Sequence, residues 1–590
     1  MIAIVGLDGA TWDLARPLMD AGEMPTLRRL VAAGASGVLR STTPPVTFPA
    51  WSSFMTGVNP GKHGIFDFTR RVPGTYELAF VTSRDRRVPT IWRLLSDAGR
   101  RVAVLGVPTT YPPEAVNGVM VGGFDSPVTT GIDGSFVHPR AFYDEMLAAV
   151  GPYTITDFQE LHIGPGWYDA VLPKILAAVE RKRDLARWVL ARERWDVFMV
   201  LFGEADTASH HFWMFADPCS PRFDEARAPR HRTALRDVYR RLDAALATIV
   251  AALPRDATIL VASDHGFGGA GTTVVHLNRW LAERGLLRFH GGARAVPARV
   301  VRGARRLALR GLPRGLQERA VRRRGRGVAR RLEAWSRFGA IDMTRTAAFS
   351  EELNYAPSIW LNVRGRDPLG TVAPGREYDA LLERLRADLL AWRHPVSGAR
   401  IVDAVHRRDE LYAGPCVDAA PDLVLEPAFE SGYSYVWLPS TGDEDASVRT
   451  LARVEYVAGK GGGMNGSHRA DGLWVLAGPA IDAGARTTAS ITDVAPTVLY
   501  LAGVPVPSWM DGRLLAGVAG TPVVEGAPIA DPTAVGAASS ANGAASGDGA
   551  TSADSVSATS PAVPIAAAGS DDDELWRRLV ALGYLGGAER

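Results

Sequence analysis

The chain reads as an α/β protein organised on a doubly wound, largely parallel central sheet with helices on both faces. Three observations carry that reading. The runs at 2–7 (IAIVGL), 102–107 (VAVLGV), 196–202 (DVFMVLF) and 258–262 (TILVA) are short and continuously apolar, as strands buried on both faces are. Segments of helical period separate them, and strand–helix alternation favours parallel pairing through crossovers. Three of the runs lead into an acidic residue, at the sheet edge where open α/β sheets bind ligands.

Composition sets the outer bounds. The 590 residues carry a formal net charge of +2 and are 46% hydrophobic, enough for one large α/β domain with insertions or for two or three domains. Two cysteines, Cys219 and Cys416, exclude a disulfide framework and fit a reducing compartment. The first residues enter a strand with no signal-peptide pattern. No run approaches the roughly 20 apolar residues of a membrane-spanning helix. A cytoplasmic protein is the expectation.

In chain order, the first strand ends at Gly6-Leu7-Asp8-Gly9, which makes Asp8 a candidate ligand, although Asp-Gly is also an ordinary turn. A helix is expected over Pro25–Ala33. The segment 41–68, STTPPVTFPAWSSFMTGVNPGKHGIFDF, then places Thr47 before Phe48-Pro49 and a helix-forming run, 50–56. Proline is tolerated in a first helical turn. Thr47 would therefore sit where free backbone N–H groups and the positive dipole end favour an anion, either as a nucleophile towards phosphorus or as a simple cap.

A helix at 90–98 and the strand at 102–107 follow. Residues 108–166 are rich in Gly, Pro and aromatics and are expected to loop over the working edge of the sheet. A long helix, 168–193, leads into the strand at 196–202. Directly after it, Asp206 and His210 stand four residues apart, on one face of a helix, where they can grip one cation together. A charged helical stretch, 222–253, feeds the strand at 258–262 and then Ser263-Asp264-His265-Gly266. A further helix is expected at 276–287.

Beyond it the composition changes. Residues Arg299–Arg331 hold thirteen arginines against one acid, Glu318. A solvated helical insertion is the plain reading; an electrostatic footprint for an anionic substrate, a polyanion or an anionic membrane surface is the sharper one. No nucleic-acid motif and no interleaved aromatics accompany it, which disfavours nucleic acid. Strands at 357–363, 401–405 and 422–426 and a helix at 377–392 follow. His468 is expected on a glycine-rich loop before a strand at 472–477, and a helix at 490–502 closes the body. Residues 520–570, rich in Ala, Gly, Ser and Pro, cannot bury enough apolar surface to fold. The segment 571–585 has an amphipathic stripe, Trp576, Leu579 and Val580.

The division expected is a body over 1–515 with an Arg-rich insertion at 288–340, a disordered tether at 516–570 and a terminal amphipathic helix at 571–590.

Collected, the candidates are Asp8, Thr47, Asp206, His210, Asp264, His265 and His468. Mixed carboxylate and imidazole sets suit Zn²⁺ and also accept Mn²⁺ or Mg²⁺. Two cations about 3.5–4 Å apart clamp the attacking and leaving oxygens of an in-line displacement. A lowered hydroxyl pKa would make Thr47 a nucleophile near neutral pH.

These motifs, in this order, resemble the alkaline phosphatase superfamily and its type I phosphodiesterase/nucleotide pyrophosphatase-like branch. The residues carrying the resemblance are Gly6-Leu7-Asp8-Gly9, Thr47-Phe48-Pro49, Thr56-Gly57, Pro60, His63-Gly64-Ile65, Asp206 with His210, Ser263-Asp264-His265-Gly266, and His468. It covers roughly 1–515 and is nearest to predicted bacterial phosphohydrolases or phosphomutases. It implies an alkaline phosphatase-like fold and a phosphoric ester hydrolase that forms a phosphothreonine at Thr47. It also implies two divalent metals, one held by Asp206, His210 and His468, the other by Asp8, Thr47, Asp264 and His265.

Departures bear on substrate. Where phosphodiesterase relatives place an asparagine soon after His-Gly-Ile, this chain has Phe66-Asp67-Phe68, so a phosphoryl contact is missing or supplied by Lys62 or an arginine. The sulfatase pattern Cys-x-Pro-x-Arg is approached only by Cys219-Ser220-Pro221-Arg222-Phe223, with the arginine one place early. The expected ligand is a small phosphate ester. A phosphomutase of the same superfamily and a polyanion- or membrane-binding role for Arg299–Arg331 are the alternatives. Oligomeric state is not read from the sequence.

Overall fold

Alternate residues of the first strand enter two different cores, which is why its sequence shows no polar face. Ala3, Val5 and Leu7 pack on one side of the sheet, and Ile2 and Ile4 on the other. The same two-residue alternation holds for Phe198, Val200 and Phe202 against Val197, Met199 and Leu201. The computed structural model describes residues 1–124, 134–152, 163–164, 166–291, 337–352, 357–457 and 464–518.

Nine strands form the central sheet, in the order Arg486–Ser490, Ala35–Arg40, Asp471–Ala477, Thr258–Ala262, Ile2–Leu7, Val197–Phe202, Val102–Val107, Gly118–Gly122, Val137–His138. The five strands from Thr258–Ala262 to Gly118–Gly122 run parallel. Asp471–Ala477 is antiparallel to both its neighbours, and Val137–His138 is antiparallel to Gly118–Gly122. Helices cover both faces, with Trp167–Arg192, Glu204–Ala216 and Ala234–Ala252 on one and Thr47–Thr56, Ile91–Asp97 and Val494–Leu501 on the other. The expected α/β architecture is present. Residues 471–490 return to complete the sheet begun at residue 2.

A second layer of structure grows from the long strand Gly266–Val275. It pairs in parallel with Tyr433–Trp437 and antiparallel with Val448–Thr450 and Gly466–Arg469. Beside it, a four-stranded sheet, Ala348–Phe349, Ser358–Leu361, Leu423–Pro427 and Val402–Arg407, shares a core with the helices Leu277–Glu283 and Arg376–Leu390.

Several expected elements differ. Residues 108–166, read as loops, contain the strands Gly118–Gly122 and Val137–His138 and the helix Arg140–Val150. Strands this short carry too little periodicity to be told from loop. The helix expected from residue 222 begins only at Ala234, after a single turn at Ala228–His231. Arg222 lies instead in a turned segment, where its buried guanidinium donates to the carbonyl oxygens of Gly271 and Met464 at 2.7 and 2.8 Å. The helix Trp12–Asp20 and the strands Ala35–Arg40 and Arg486–Ser490 had no clear sequence signal. Most of the Arg-rich insertion (292–336), nearly all of the expected tether and the whole terminal helix lie outside the described residues. Among the described residues, no helix is long and apolar enough to cross a membrane.

Candidate active site

Three neighbouring parallel strands deliver three carboxylates to one edge. Gly6 is level with Leu201 on one side and Ala262 on the other, so Ile2–Leu7, Val197–Phe202 and Thr258–Ala262 finish together. Asp8 follows the first strand directly. Asp206 lies in the first turn of the helix after the second, and Asp264 two residues beyond the third. Gly9 permits the convergence: its φ is +66°, and a Cβ there would come within 3.0 Å of Asp206 and 3.1 Å of Phe267. Its N–H donates to Asp264 Oδ1 at 3.2 Å. Ser263 Oγ donates to the carbonyl of Ala10 and accepts from the N–H of Leu473, each at 2.8 Å, which fixes the turn carrying Asp264.

The histidines close the other side. His210 Nε2 lies 3.3 Å from Asp206 Oδ1, His468 Nε2 lies 3.3 Å from the same oxygen, and the two nitrogens are 3.1 Å apart. That triangle joins the helix Glu204–Ala216 to the strand Gly466–Arg469. His468 is therefore on a strand and not on the loop expected; the glycines around it allow that strand to pass close to the helix, where a Cβ at Gly466 would meet the carbonyl of Ser209 at 2.2 Å. His265 Nε2 is 3.6 Å from Asp8 Oδ1, 3.5 Å from Asp264 Oδ2 and 3.9 Å from Asp206 Oδ1. Its ring stacks on that of His468 with centroids 3.7 Å apart. Two groups of ligand atoms are thereby close enough to hold a cation: Asp206, His265 and His468, and Asp8, Asp264 and His265, with His265 common to both.

Thr47 opens the helix Thr47–Thr56, three residues earlier than the helix-forming run alone suggested. It is fully buried, and its Oγ1 has no hydrogen-bond partner among the described residues. Asp264 Oδ2 and His265 Nε2 are likewise buried without one. A buried polar atom left unpaired is costly, on the order of 1–3 kcal/mol. This set of hard oxygens and imidazole nitrogens therefore fits divalent cations on its chemistry.

Two contacts that sequence reasoning missed tie Thr47 to the rest. The carbonyl of Pro45 faces His468 Nδ1 at 2.8 Å, and the Trp51 indole N–H donates to Asp8 Oδ2 at 3.0 Å. The second had a signal, because Trp51 is four residues after Thr47 and so shares its helix face. Trp51→Phe removes the donor while keeping an aromatic ring. It should weaken metal binding roughly tenfold or more, as outer partners of ligating carboxylates do, and a competition titration with a chromogenic chelator would read the loss. Asn465 was also missed; three of its hydrogen bonds, to His210 O, His211 O and Met214 N, clasp the approach to His468 onto the helix.

The electrostatics follow from crowding. Burial, and then the charges of Asp8 and Asp206, push the Asp264 carboxyl well above its ordinary range. Burial, helped by His468, pushes His265 well below its own, which favours the neutral imidazole a metal ligand must be.

His63 of the His-Gly-Ile motif serves as a clamp. Its Nδ1 accepts the N–H of Ile65 at 3.1 Å, so the N–H on Nε2 donates to Ser53 Oγ at 3.0 Å, on the helix that starts at Thr47. Burial lowers its pKa to about 3. The sign is that of a depressed folded pKa: the stability is whole above pH 6.5 and is lost as pH falls towards 3, at up to roughly 1.4 kcal/mol per pH unit. Urea unfolding between pH 4 and 6.5 should show that slope, and His63→Gln should flatten it.

Lys62 takes a different place from the one expected. Its Nζ is bonded to Asp511 Oδ1 at 2.5 Å and to the carbonyl of Trp509 at 2.7 Å, so the ammonium braces the segment after the last helix. No described contact joins it to the Asp and His cluster.

The family model described as type I phosphodiesterase / nucleotide pyrophosphatase matches residues 2–440. The match ends before His468, whose place beside Asp206 and His210 rests on the geometry. Among solved structures, phosphonoacetate hydrolase from Sinorhizobium meliloti 1021, in complex with phosphonoformate, is 18% identical with a TM-score of 0.49. The alignment covers 85% of this chain and 95% of that one. The murine ectonucleotide pyrophosphatase/phosphodiesterase 5 is 12% identical with a TM-score of 0.43, over 85% of this chain and 95% of its own. The human protein of that name has the same two values, over 87% of this chain and 97% of its own. No curated protein matches the chain.

Proposed function

This chain belongs to the type I phosphodiesterase/nucleotide pyrophosphatase family, an enzyme hydrolysing phosphoric ester bonds, and from that premise we propose that Thr47 is its nucleophile. The observation that carries the reading is a buried hydroxyl with no hydrogen-bond partner among the described residues, at the first residue of a ten-residue helix. That position gives Thr47 Oγ1 the backbone N–H groups of the first helical turn to hold phosphoryl oxygens.

Asp206, His210 and His468 would hold one divalent cation, and Asp8, Thr47, Asp264 and His265 the other, with Zn²⁺ the best match to the donors and Mn²⁺ or Mg²⁺ compatible. Such cations, when bound, stabilise charge developing on the phosphoryl and alcohol oxygens and lower the pKa of the hydroxyl. The chain's own residues do the rest. Thr47 Oγ1 bonds to phosphorus as the P–O bond to the alcohol breaks, and the alcohol leaves with a proton. Water then cleaves the phosphothreonine and returns the hydroxyl. Trp51 and the carbonyl of Pro45 hold Asp8 and His468 in place throughout.

A panel of aryl phosphate monoesters and diesters, run on protein stripped of metal and then resupplied with Zn²⁺, Mn²⁺ or Mg²⁺, tests the reading. Turnover should appear only on resupply, and free phosphate or a phosphomonoester should accumulate. Transfer of the phosphoryl group back to the substrate in place of release would identify a mutase and overturn hydrolysis. Silence towards every ester in every metal would overturn the reading itself.

A further inference from the structure

A cavity of about 830 Å³ opens beside the Thr47 segment. That lies within the range of small-molecule sites, roughly 300–1,000 Å³. One wall comes from Pro44, three residues before Thr47, and another from Gly64, Phe66 and Asp67, directly after the His63 clamp. Tyr412 and Trp360 complete it from the second sheet system. The wall is fixed relative to the candidate nucleophile. Tyr412 donates its hydroxyl to the carbonyl of Thr43 at 2.7 Å, and the Phe68 ring packs on Phe48, the residue after Thr47, at 4.4 Å.

The charges lining the cavity largely cancel. Arg70 pairs with Asp85 at 2.8 Å, Arg71 with Asp367 at 2.5 Å, Arg366 with Asp422 at 2.7 Å and Glu351 with Arg337 at 3.1 Å. Asp67 is different. Its Oδ1 accepts the N–H of Phe68 at 2.7 Å, while its Oδ2 takes no hydrogen bond from any described residue. Arg87, without an ion-pair partner among the described residues, lines the same cavity but is solvent-exposed.

Resting on the hydrolase reading above, we propose that this cavity receives the alcohol esterified to the phosphoryl group, and that Asp67 selects an uncharged alcohol carrying a hydroxyl or amino donor. The aromatic walls, Phe66, Tyr412 and Trp360, suit a flat apolar part. A second anion on the alcohol would meet two carboxylates, since Asp67 lies close enough to Glu351 for that charge to join burial in raising its pKa to about 7. A hydrogen-bond donor gives the spare Oδ2 the partner the protein withholds. A donor-free alcohol displaces water from that oxygen without replacing its hydrogen bond, which makes that alcohol the poorer ligand.

The test uses two diesters of 4-nitrophenyl phosphate that differ in one group, the 3-(hydroxymethyl)phenyl and the 3-ethylphenyl ester. At a pH above 8, where Asp67 is ionised, full-length Zn²⁺-loaded protein should favour the hydroxymethyl ester roughly ten- to hundredfold in kcat/KM, the range expected of one hydrogen bond to a charged group. Asp67→Leu should erase that preference, and Asp67→Asn, which keeps an acceptor, should restore most of it. Loss of rate on both esters alike would overturn the assignment. A second arm needs no turnover: calorimetric titration of the two aryl monophosphates into Thr47→Ala protein, with and without Asp67→Leu. Preferential binding that disappears with Asp67 supports the pocket even where no ester is hydrolysed, in which case the reaction is what has failed. Equal binding of both compounds by all variants overturns the pocket.

Discussion

Thr47→Ala protein should retain less than about a thousandth of wild-type turnover on any ester the wild type accepts, the loss typical of deleting a covalent nucleophile. Metal content should stay nearly intact, because the imidazole and carboxylate donors come from other elements. The pairing of outcomes matters more than either alone. A merely capping threonine would show a different pattern, with stability down by roughly 1 kcal/mol and turnover largely kept. The structure already disfavours a side-chain cap: the residue preceding the helix is Val46, Thr47 is the first helical residue, and Oγ1 bonds to no backbone N–H. Intact-mass analysis of wild-type protein quenched during turnover should find one added phosphoryl group, absent from Thr47→Ala. Substantial activity in the alanine variant would remove Thr47 from the mechanism.

How far the sequence led depended on whether a signal was local. The strand ending in Asp8 and the Pro25–Ala33 helix are local patterns, and both stand where the sequence placed them. Asp206 and His210 share a helix face because four residues separate them. His468 was recognisable as a candidate, yet its strand was not, since Gly466–Arg469 becomes extended only by pairing with Gly266–Gly269 some two hundred residues earlier. Lys62 shows the opposite failure. Its sequence position suggested a phosphate contact, and Asp511, about 450 residues away, claims the ammonium instead. Short strands at the sheet margin, such as Gly118–Gly122 and Val137–His138, are fixed by neighbours and carry little pattern of their own.

Asp264→Asn should change stability in opposite senses with and without metal. In chelator, folding confines Asp264 with Asp8 and Asp206 in a buried site, and its carboxyl is pushed well above its ordinary range. A raised folded pKa gives a stability term that is present below the unfolded value near 4 and is lost as pH rises. Asparagine keeps the oxygen that accepts the Gly9 N–H, removes the charge, and so abolishes that loss. The metal-free variant should therefore unfold at the same temperature as wild type or higher, and its advantage should grow from pH 5 to pH 8. Added Zn²⁺ reverses the order. A ligand at a hundredfold excess over its Kd stabilises the native state by about 2.7 kcal/mol, and the variant, lacking one carboxylate donor, forfeits much of that gain. Thermal unfolding in chelator and in Zn²⁺, at both pH values, reads all four quantities. If the metal-induced shift is the same in both proteins, Asp264 holds no metal and the second cation site must be redrawn without it.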